Sequence, residues 1–498
     1  MASTLVTTTV VGLLLALLWF LNPSYDPKEP RPISHTIPIL GHAIAWAKDR
    51  RGFFIWGERR GNNKPYSMLL AGRKHYVFSN PADVATLFRK AKVMSIAPFI
   101  RILSVTLFGY TKSETTRLEG LHDSMHALYN KHLLNPEQYT LVVIAYFKDL
   151  QERMRHLSDE VRASEKGTLR VDAFQLLLDT LAKASTTAYF GRKPLDANPD
   201  MTTDMDTFVA KGFWLFLSGV PAMFVRNADK ARKRIMAAML TGVVDDATAQ
   251  DRDDVSAFTR DQIALTKTVL SDKGVATQQF SFLFGLTSNS TPSTYLTLLH
   301  ILYVPGLVDD LRAEMNASGF SAAPDSEKYK FVPHGLPLLR SCYFEAIRMH
   351  TVSASIREVL EETSITTKPA GPDQQPRTYT LKKGGVVNMP SSALHYNEKI
   401  NPQPETFIPR RFVSKEDGGM GQNPQTSTRG FGGGSSYCPG RIFAERQIVG
   451  FVATLLQGFD VEVVDGEKWK FPKSAEFDDV SNSPRAMLSL KARDGRAM

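Results

Sequence analysis

The chain has 498 residues, 43% of them hydrophobic and 22% charged, the balance of an ordinary globular protein and not of a disordered one. Two cysteines exclude a disulfide framework and suit a reducing compartment. A formal charge of +9 favours an acidic partner or anionic lipid, and the lack of any Lys/Arg block excludes nucleic acid.

The first element is Thr4 to Leu21, 18 residues without a charge. As a helix it would extend roughly 27 Å, enough to cross a bilayer core. Trp19 and Phe20 fall near one end, where aromatic rings favour the interface. No small-residue cleavage site follows, which argues against a removed signal peptide. Residues 1–22 therefore read as a membrane anchor and residues 23–36, with Pro23, Pro27, Pro30 and Pro32, as a stiff linker. Lys28 and Arg31 on that side keep the body, residues 37–498, cytosolic.

Within the body, Tyr66 to Pro81 reads as a strand pair turning near Gly72. From Pro81 to about Gln250 the apolar residues recur at helical spacing. Gly212 to Val225 is unusually apolar and aromatic, either a buried helix or a lipophilic entrance against the membrane. Asp254 to Met315 is helical almost throughout, with a kink expected from Pro292. Arg377 to Met389 alternates and turns like a hairpin. The expected fold is mainly α with a small β portion in a single domain.

The chemistry concentrates at "FGGGSSYCPGRIFAERQIVGF", Phe431 to Phe451. Thiolate, not thiol, binds metals and attacks electrophiles. A helix starting just after Cys438 would aim its free N–H groups at the sulfur and favour the anion. Glycines 432–434 and 440 let backbone approach something flat and large. Three readings compete. A nucleophile would need a histidine-containing elbow, and none accompanies Cys438. Zinc would need further ligands, and no second cysteine or histidine pair is near. A thiolate bound axially to haem iron needs only one cysteine in an open loop.

Phe431, Gly434, Cys438 and Gly440 fit F-x-x-G-x-x-x-C-x-G, and the chain thereby resembles the cytochrome P450 superfamily at its haem-binding signature. Glu345 and Arg348 in "YFEAIRMH" resemble its Glu-x-x-Arg helix, and "ETFIPRRF" its Pro-x-Arg-Phe segment, with Arg411 as third member of the triad. The resemblance runs over roughly residues 23–498, and the anchor and proline-rich linker match the microsomal type. It implies Cys438 as the iron ligand and a structural network of Glu345, Arg348 and Arg411. It also implies Arg357 as a haem-propionate contact, the plain alternative being a surface arginine on a strand. The segment Leu121 to Leu133 matches a helix that usually supplies a Trp to a propionate; here Lys131 and His132 are the candidates. His122 and His126, four apart, make either a metal pair or, with no third ligand in view, a solvated helix face.

Two departures stand out. Ser436 occupies a position that is usually basic. In "GLTSNST", Gly285 to Thr291, Ser288 replaces the usual acid and Asn289 the usual threonine of the oxygen-binding helix. Asn289 with Pro292 resembles the branch that holds cholesterol 7-alpha-hydroxylase and prostacyclin synthase, one a hydroxylase and the other an isomerase.

The resemblance implies a haem b monooxygenase of the endoplasmic reticulum membrane, with Ser288 and Asn289 as catalytic residues. Its electrons would come from NADPH-cytochrome P450 reductase, with cytochrome b5 as a second donor. The substrate would be a lipophilic small molecule: a sterol, a terpenoid or a polyketide of secondary metabolism. By matched position, Met94–Leu107, Phe213–Val225, Gly285–Asn289, Val352–Ser355 and Ser481–Met487 would contact it. The rival readings are a reductant-free isomerase or dehydratase acting on a peroxide or epoxide, and a haem sensor or carrier without turnover.

Overall fold

The computed structural model describes residues 12, 25–35, 37, 39–245, 252–320, 335–351, 353–369, 375–421, 428–464, 470–471, 480 and 482–493. The chain divides into two compact units. The first holds residues 1–99, 351–406 and 428–437; the second holds 100–350, 407–427 and 438–498. The expected anchor, residues 1–22, lies outside the described residues apart from Gly12. Among the described residues no helix is long and apolar enough to cross a membrane.

The first unit is built on a six-stranded sheet. Tyr66–Leu70 and Arg73–Val77 form the expected antiparallel pair, Tyr66 opposite Val77. The turn between them places Ala71 at φ 48° and Gly72 at φ 78°. Left-handed backbone of this kind is cheapest for glycine, which is why the turn was legible.

The hairpin expected over Arg377–Met389 does not form. Thr378–Leu381 pairs with Thr363–Thr366 in a separate two-stranded sheet. Val386–Pro390 joins the large sheet between Ala354–Val359 and Arg73–Val77. Gly384, at φ 79°, does turn the chain. The two strands differ in what they can bury, however: Val386–Pro390 is buried at all five positions, Thr378–Leu381 only at alternate ones. A continuous apolar run suits the interior of a sheet, and an alternating one suits its exposed layer. Tyr76, Phe78, Leu87, Met94, Val359 and Val387 form the core beneath.

The second unit is mainly helical. Its helices include α1 His122–Tyr129, α2 Pro136–Ala163, α3 Lys183–Phe190, α4 Met201–Leu217, α5 Arg226–Met239 and α6 Ala257–Lys267. They are followed by α7 Asp272–Thr287, α8 Ser290–Tyr303, α9 Leu307–Ser318, α10 Pro337–His350 and α11 Arg441–Gly458. A three-stranded antiparallel sheet, Phe459–Val463, Met487–Ala492 and Thr168–Asp172, completes the unit.

α2 shows how sequence sets position. Asn135 caps it by accepting from Glu137 N–H, and Pro136 sits at the first helical position. Val142, Val143, Tyr146, Phe147, Leu150 and Met154 recur at helical spacing and are buried. Each such side chain contributes roughly 1.5–3 kcal/mol by leaving water. A Cβ on Gly450 of α11 would stand 2.1 Å from Phe147 Cζ, so α11 packs here only through a glycine.

The long helical stretch expected after Asp254 is divided into α6, α7, α8 and α9. Ser256 and Ser271 start two of them by accepting from Thr259 and Gly274 N–H. Pro292 acts as expected, but the interruption falls at Ser288–Asn289, four residues upstream. A proline has no N–H to give the carbonyl one turn earlier, and its ring crowds that carbonyl.

Gly212–Val225 has buried core positions in its helical part and exposed ones beyond it. Phe216 is buried, and a Cβ on Gly212 would meet Ala228 Cβ at 2.6 Å, so the end of α4 is core against α5. The turn after it is not: Met223 is 66% and Phe224 73% exposed.

Candidate functional site

Cys438 belongs to the second unit, three residues before α11. Partial enclosure pushes its thiol up, opposed by the N–H groups of Gly440 and Arg441 and by the Arg441 charge. The free helix end is therefore aimed at the sulfur as the sequence suggested, and it moderates the burial penalty without overcoming it. A metal ligand must be the thiolate, and these N–H groups and the Arg441 charge favour that anion, so the sulfur fits a metal-bound thiolate. Arg441 also donates to the Cys438 carbonyl at 2.9 Å. The other cysteine, Cys342, is fully buried in α10 with its thiol pushed up by burial and by Glu314 and Glu345.

Gly440 does not make room for the sulfur; a Cβ there would sit 3.8 Å from Sγ, an ordinary contact. Gly434 and Gly433, in the first unit, are constrained. Gly434 has φ 65°, and a Cβ on Gly433 would approach Phe88 Cε2 to 2.7 Å. The ring this backbone approaches within its own unit is thus Phe88. Phe431 is half-buried and Ser436 exposed.

Arg357 lies in the strand Ala354–Val359 of the first unit and is 7% exposed. It donates to the carbonyls of Ile356 at 2.7 Å and Gly433 at 3.4 Å, and its guanidinium stands 5.6 Å from the Phe88 ring centre. Burial lowers its pKa, and among the described residues no carboxylate meets it. A buried cation held only by carbonyls and a ring fits an anionic group such as a propionate. Arg429 resembles it: desolvation lowers its pKa, it donates to Pro81 O at 3.4 Å, and it stands 5.5 Å from the Phe88 ring centre. Sequence reasoning passed over Arg429. Its only signal was its place two residues ahead of Phe431.

The three residues Glu345, Arg348 and Arg411 meet in the second unit. Arg348 donates to Glu345 through Nε at 2.7 Å and Nη2 at 2.9 Å. Arg411 Nε lies 2.9 Å from both carboxylate oxygens, and the Ile408 N–H donates to Oε1 at 3.1 Å. Glu345 and Arg348 are wholly buried on α10. Through these bonds the network pins the Phe407–Phe412 coil to that helix.

At the α7–α8 interruption, Gly285 is exposed between half-buried neighbours and Asn289 is exposed between two buried serines. They lie one helical turn apart, and nothing stands within 4 Å of a Cβ built on Gly285. Ser288 is 3% exposed, and its hydroxyl has no hydrogen-bond partner among the described residues. A buried hydroxyl left unpaired costs roughly 1–3 kcal/mol, so its retention calls for a reason.

Lys131 and His132 do not stand free. Both reach Asp261 Oδ2 on α6, at 2.7 and 2.8 Å. Burial works to raise the Asp261 pKa, but these two bonds bring it below the usual range. Asp261, 129 residues from His132 in the chain, carried no sequence signal. Of the segments matched to substrate contact, Val352 and Ser481 lie outside the described residues.

A lone enclosed cysteine at a helix start and a buried uncompensated arginine suit one class of protein, the haem-thiolate enzymes. The chain belongs to the cytochrome P450 family, whose sequence model matches residues 31–489. It is 33% identical over 490 residues to the cytochrome P450 monooxygenase poxD of Penicillium oxalicum, covering 98% of this chain and 99% of that one. It is 24% identical to cytochrome P450 7B1 of Mus musculus, covering 91% and 88%. It is likewise 24% identical to the 5-beta-cholestane-3-alpha,7-alpha-diol 12-alpha-hydroxylase of Sus scrofa, covering 88% and 87%. The fold matches that of the retinoic acid-bound cyanobacterial CYP120A1 with a TM-score of 0.68 at 19% identity, covering 94% of this chain and 100% of that one. The chain is thus an enzyme of the P450 monooxygenase family, and its cofactor is haem.

Proposed function

We propose that this enzyme hydroxylates or oxidises a lipophilic small molecule, with electrons from NADPH delivered by a flavin reductase at the endoplasmic reticulum membrane. The observation that carries the reading is the opened helix at Ser288–Asn289: an exposed amide beside a buried hydroxyl that no group among the described residues satisfies. When bound, haem supplies the iron at which dioxygen is reduced and cleaved. Cys438 Sγ would hold that iron, and the Arg357 guanidinium would neutralise a propionate. Asn289 offers one acceptor and two donor hydrogens, enough to hold a water on the open face. Ser288 Oγ can donate a proton and take one back, so the pair can do the work usually left to an acid and a threonine.

The relatives support the substrate class. A relative named as a cytochrome P450 monooxygenase, 33% identical along nearly the whole chain, favours monooxygenation. The 12-alpha-hydroxylase named for a cholestane diol favours a substrate of sterol size. The exposed Met223 and Phe224 suit a face turned to lipid, in keeping with an uncharged segment at residues 4–21. The net charge of +9 suits an acidic reductase surface.

The test is turnover of a candidate sterol or terpenoid with reductase, NADPH and labelled O2. One labelled oxygen atom in a hydroxylated product is expected. Full-rate conversion of a peroxide or epoxide without NADPH, and with no label incorporated, overturns the proposal in favour of an isomerase.

A further inference from the structure

We propose that a cavity inside the second unit, between α2, α3 and the start of α6, binds an amphipathic carboxylate: one anionic head on an apolar body of fatty-acid kind. The cavity measures about 530 Å³, within the range of sites that enclose a small organic ligand. Its lining falls between His132 and Arg260, wholly in the second unit. None of it belongs to the Cys438 loop or the α7–α8 interruption, and His132 is already held by Asp261. α2 contributes Leu141, Val142, Ala145 and Lys148, which share one helical face by their spacing of three and four. Val142, Ala188, Val255 and Phe258 are buried and give the cavity an apolar floor. Leu141, 60% exposed, carries that surface out to the mouth.

Charge decides the head of the ligand. Arg260 is half-buried and lines the cavity. It donates through Nη1 to the carbonyls of Arg252 at 3.0 Å and Val255 at 2.7 Å, and no carboxylate meets it among the described residues. Lys148 is a second lining cation, exposed and outside every ion pair of the described residues. The lining carboxylates are mostly engaged. Asp149 accepts from Arg153 at 2.6 Å and Arg192 at 3.2 Å, Glu152 pairs with Arg192, and Asp254 accepts from Arg252 at 2.8 and 2.7 Å. Asp253 stands exposed, where solvent screens it. A carboxylate is the partner that matches a guanidinium fork. The lining also holds an unused hydroxyl. On α3, Ser185 and Thr186 each donate to the carbonyl four residues back, at 2.7 and 2.8 Å. Thr187 does not: it is 9% exposed, and its Oγ1 has no partner among the described residues. A ligand oxygen would relieve the roughly 1–3 kcal/mol that such an orphan costs.

The experiment is photolabelling of the full-length haem-loaded protein with dodecanoic acid carrying a diazirine, the iron being held throughout by an azole. Labelled peptides are mapped by mass spectrometry. Saturable label is expected on the peptides holding Leu141–Lys148 or Val255–Phe258. The methyl ester of the probe and the Arg260→Gln variant should each raise the half-saturating concentration by about 10- to 100-fold. Lys148→Gln, at an exposed charge, should raise it by about threefold. Ala145→Trp, which fills the floor, should remove the label. An unaltered reduced carbon monoxide spectrum shows each variant to be folded; if Arg260→Gln fails that check, the acid and ester on the unaltered protein decide. Absence of label from these peptides, equal labelling by acid and ester, or label that survives Ala145→Trp overturns the proposal.

Discussion

Removing one member of the Glu345 network should cost more the more charge it leaves enclosed. Glu345→Ala takes a carboxylate from two guanidinium groups, one wholly buried and one 10% exposed at its side chain. Arg348→Ala removes two charge-assisted bonds of 2.7 and 2.9 Å but leaves Glu345 with Arg411 and the Ile408 N–H. Arg411→Ala removes the partner with some access to water. Breaking a buried pair costs about 3–5 kcal/mol, which multiplies the unfolded fraction by roughly a hundred to a few thousand. The expected order of loss is Glu345→Ala, then Arg348→Ala, then Arg411→Ala. The replacement of all three by apolar residues, Glu345→Leu with Arg348→Met and Arg411→Leu, should cost far less than Glu345→Ala alone, because no charge is left buried. The assay is urea unfolding followed by tryptophan fluorescence, with haem loading of the same preparations read from the reduced carbon monoxide spectrum. Arg348→Ala with a normal midpoint and normal haem loading would refute the reasoning.

Cys438→Ala should abolish the red-shifted carbon monoxide band of a thiolate-bound iron, while Cys342→Ala keeps it; the reverse would reassign the ligand. Asn289→Ala should slow product formation several-fold and raise peroxide release, with the carbon monoxide band unchanged, as measured by NADPH consumption against product. Acid should destabilise the first unit through His75, whose pKa burial lowers to about 4, with Arg73 adding to the effect and the Asn388 bond opposing it. A histidine kept neutral stabilises fully above its unfolded value near 6.5; as pH falls toward 4 the unfolded chain gains the proton first, and about 3 kcal/mol is lost. His75→Gln should flatten the fall in urea midpoint between pH 7 and pH 4.5, and an equal fall in the variant would contradict this.

What could be read from sequence was what short-range spacing decides. The i, i+3 relation of Glu345 and Arg348, the glycine turn at 72 and the helix start after Cys438 all follow from residues a few positions apart. Partner choice across the chain did not follow. Nothing near Lys131 or His132 announces Asp261, and nothing near Gly433 announces Phe88. The misjudged hairpin has the same cause: a turn at Gly384 fixes where the chain reverses but not which strand each arm will pair with. Pro292 was legible as a disturbance, but its effect appears one turn upstream because the lost bond belongs to the earlier carbonyl.

The glycine at 450 has a meaning for how the sulfur is positioned. From Arg441 to Gly450 a helix rises about 13.5 Å, and over that length it behaves as a stiff rod. Phe147 rests against one end of the rod, and Cys438 sits just beyond the other. Any side chain at 450 would push the rod off Phe147 and carry the cysteine with it, so an apolar contact far from the thiol acts as the stop against which the sulfur itself is placed.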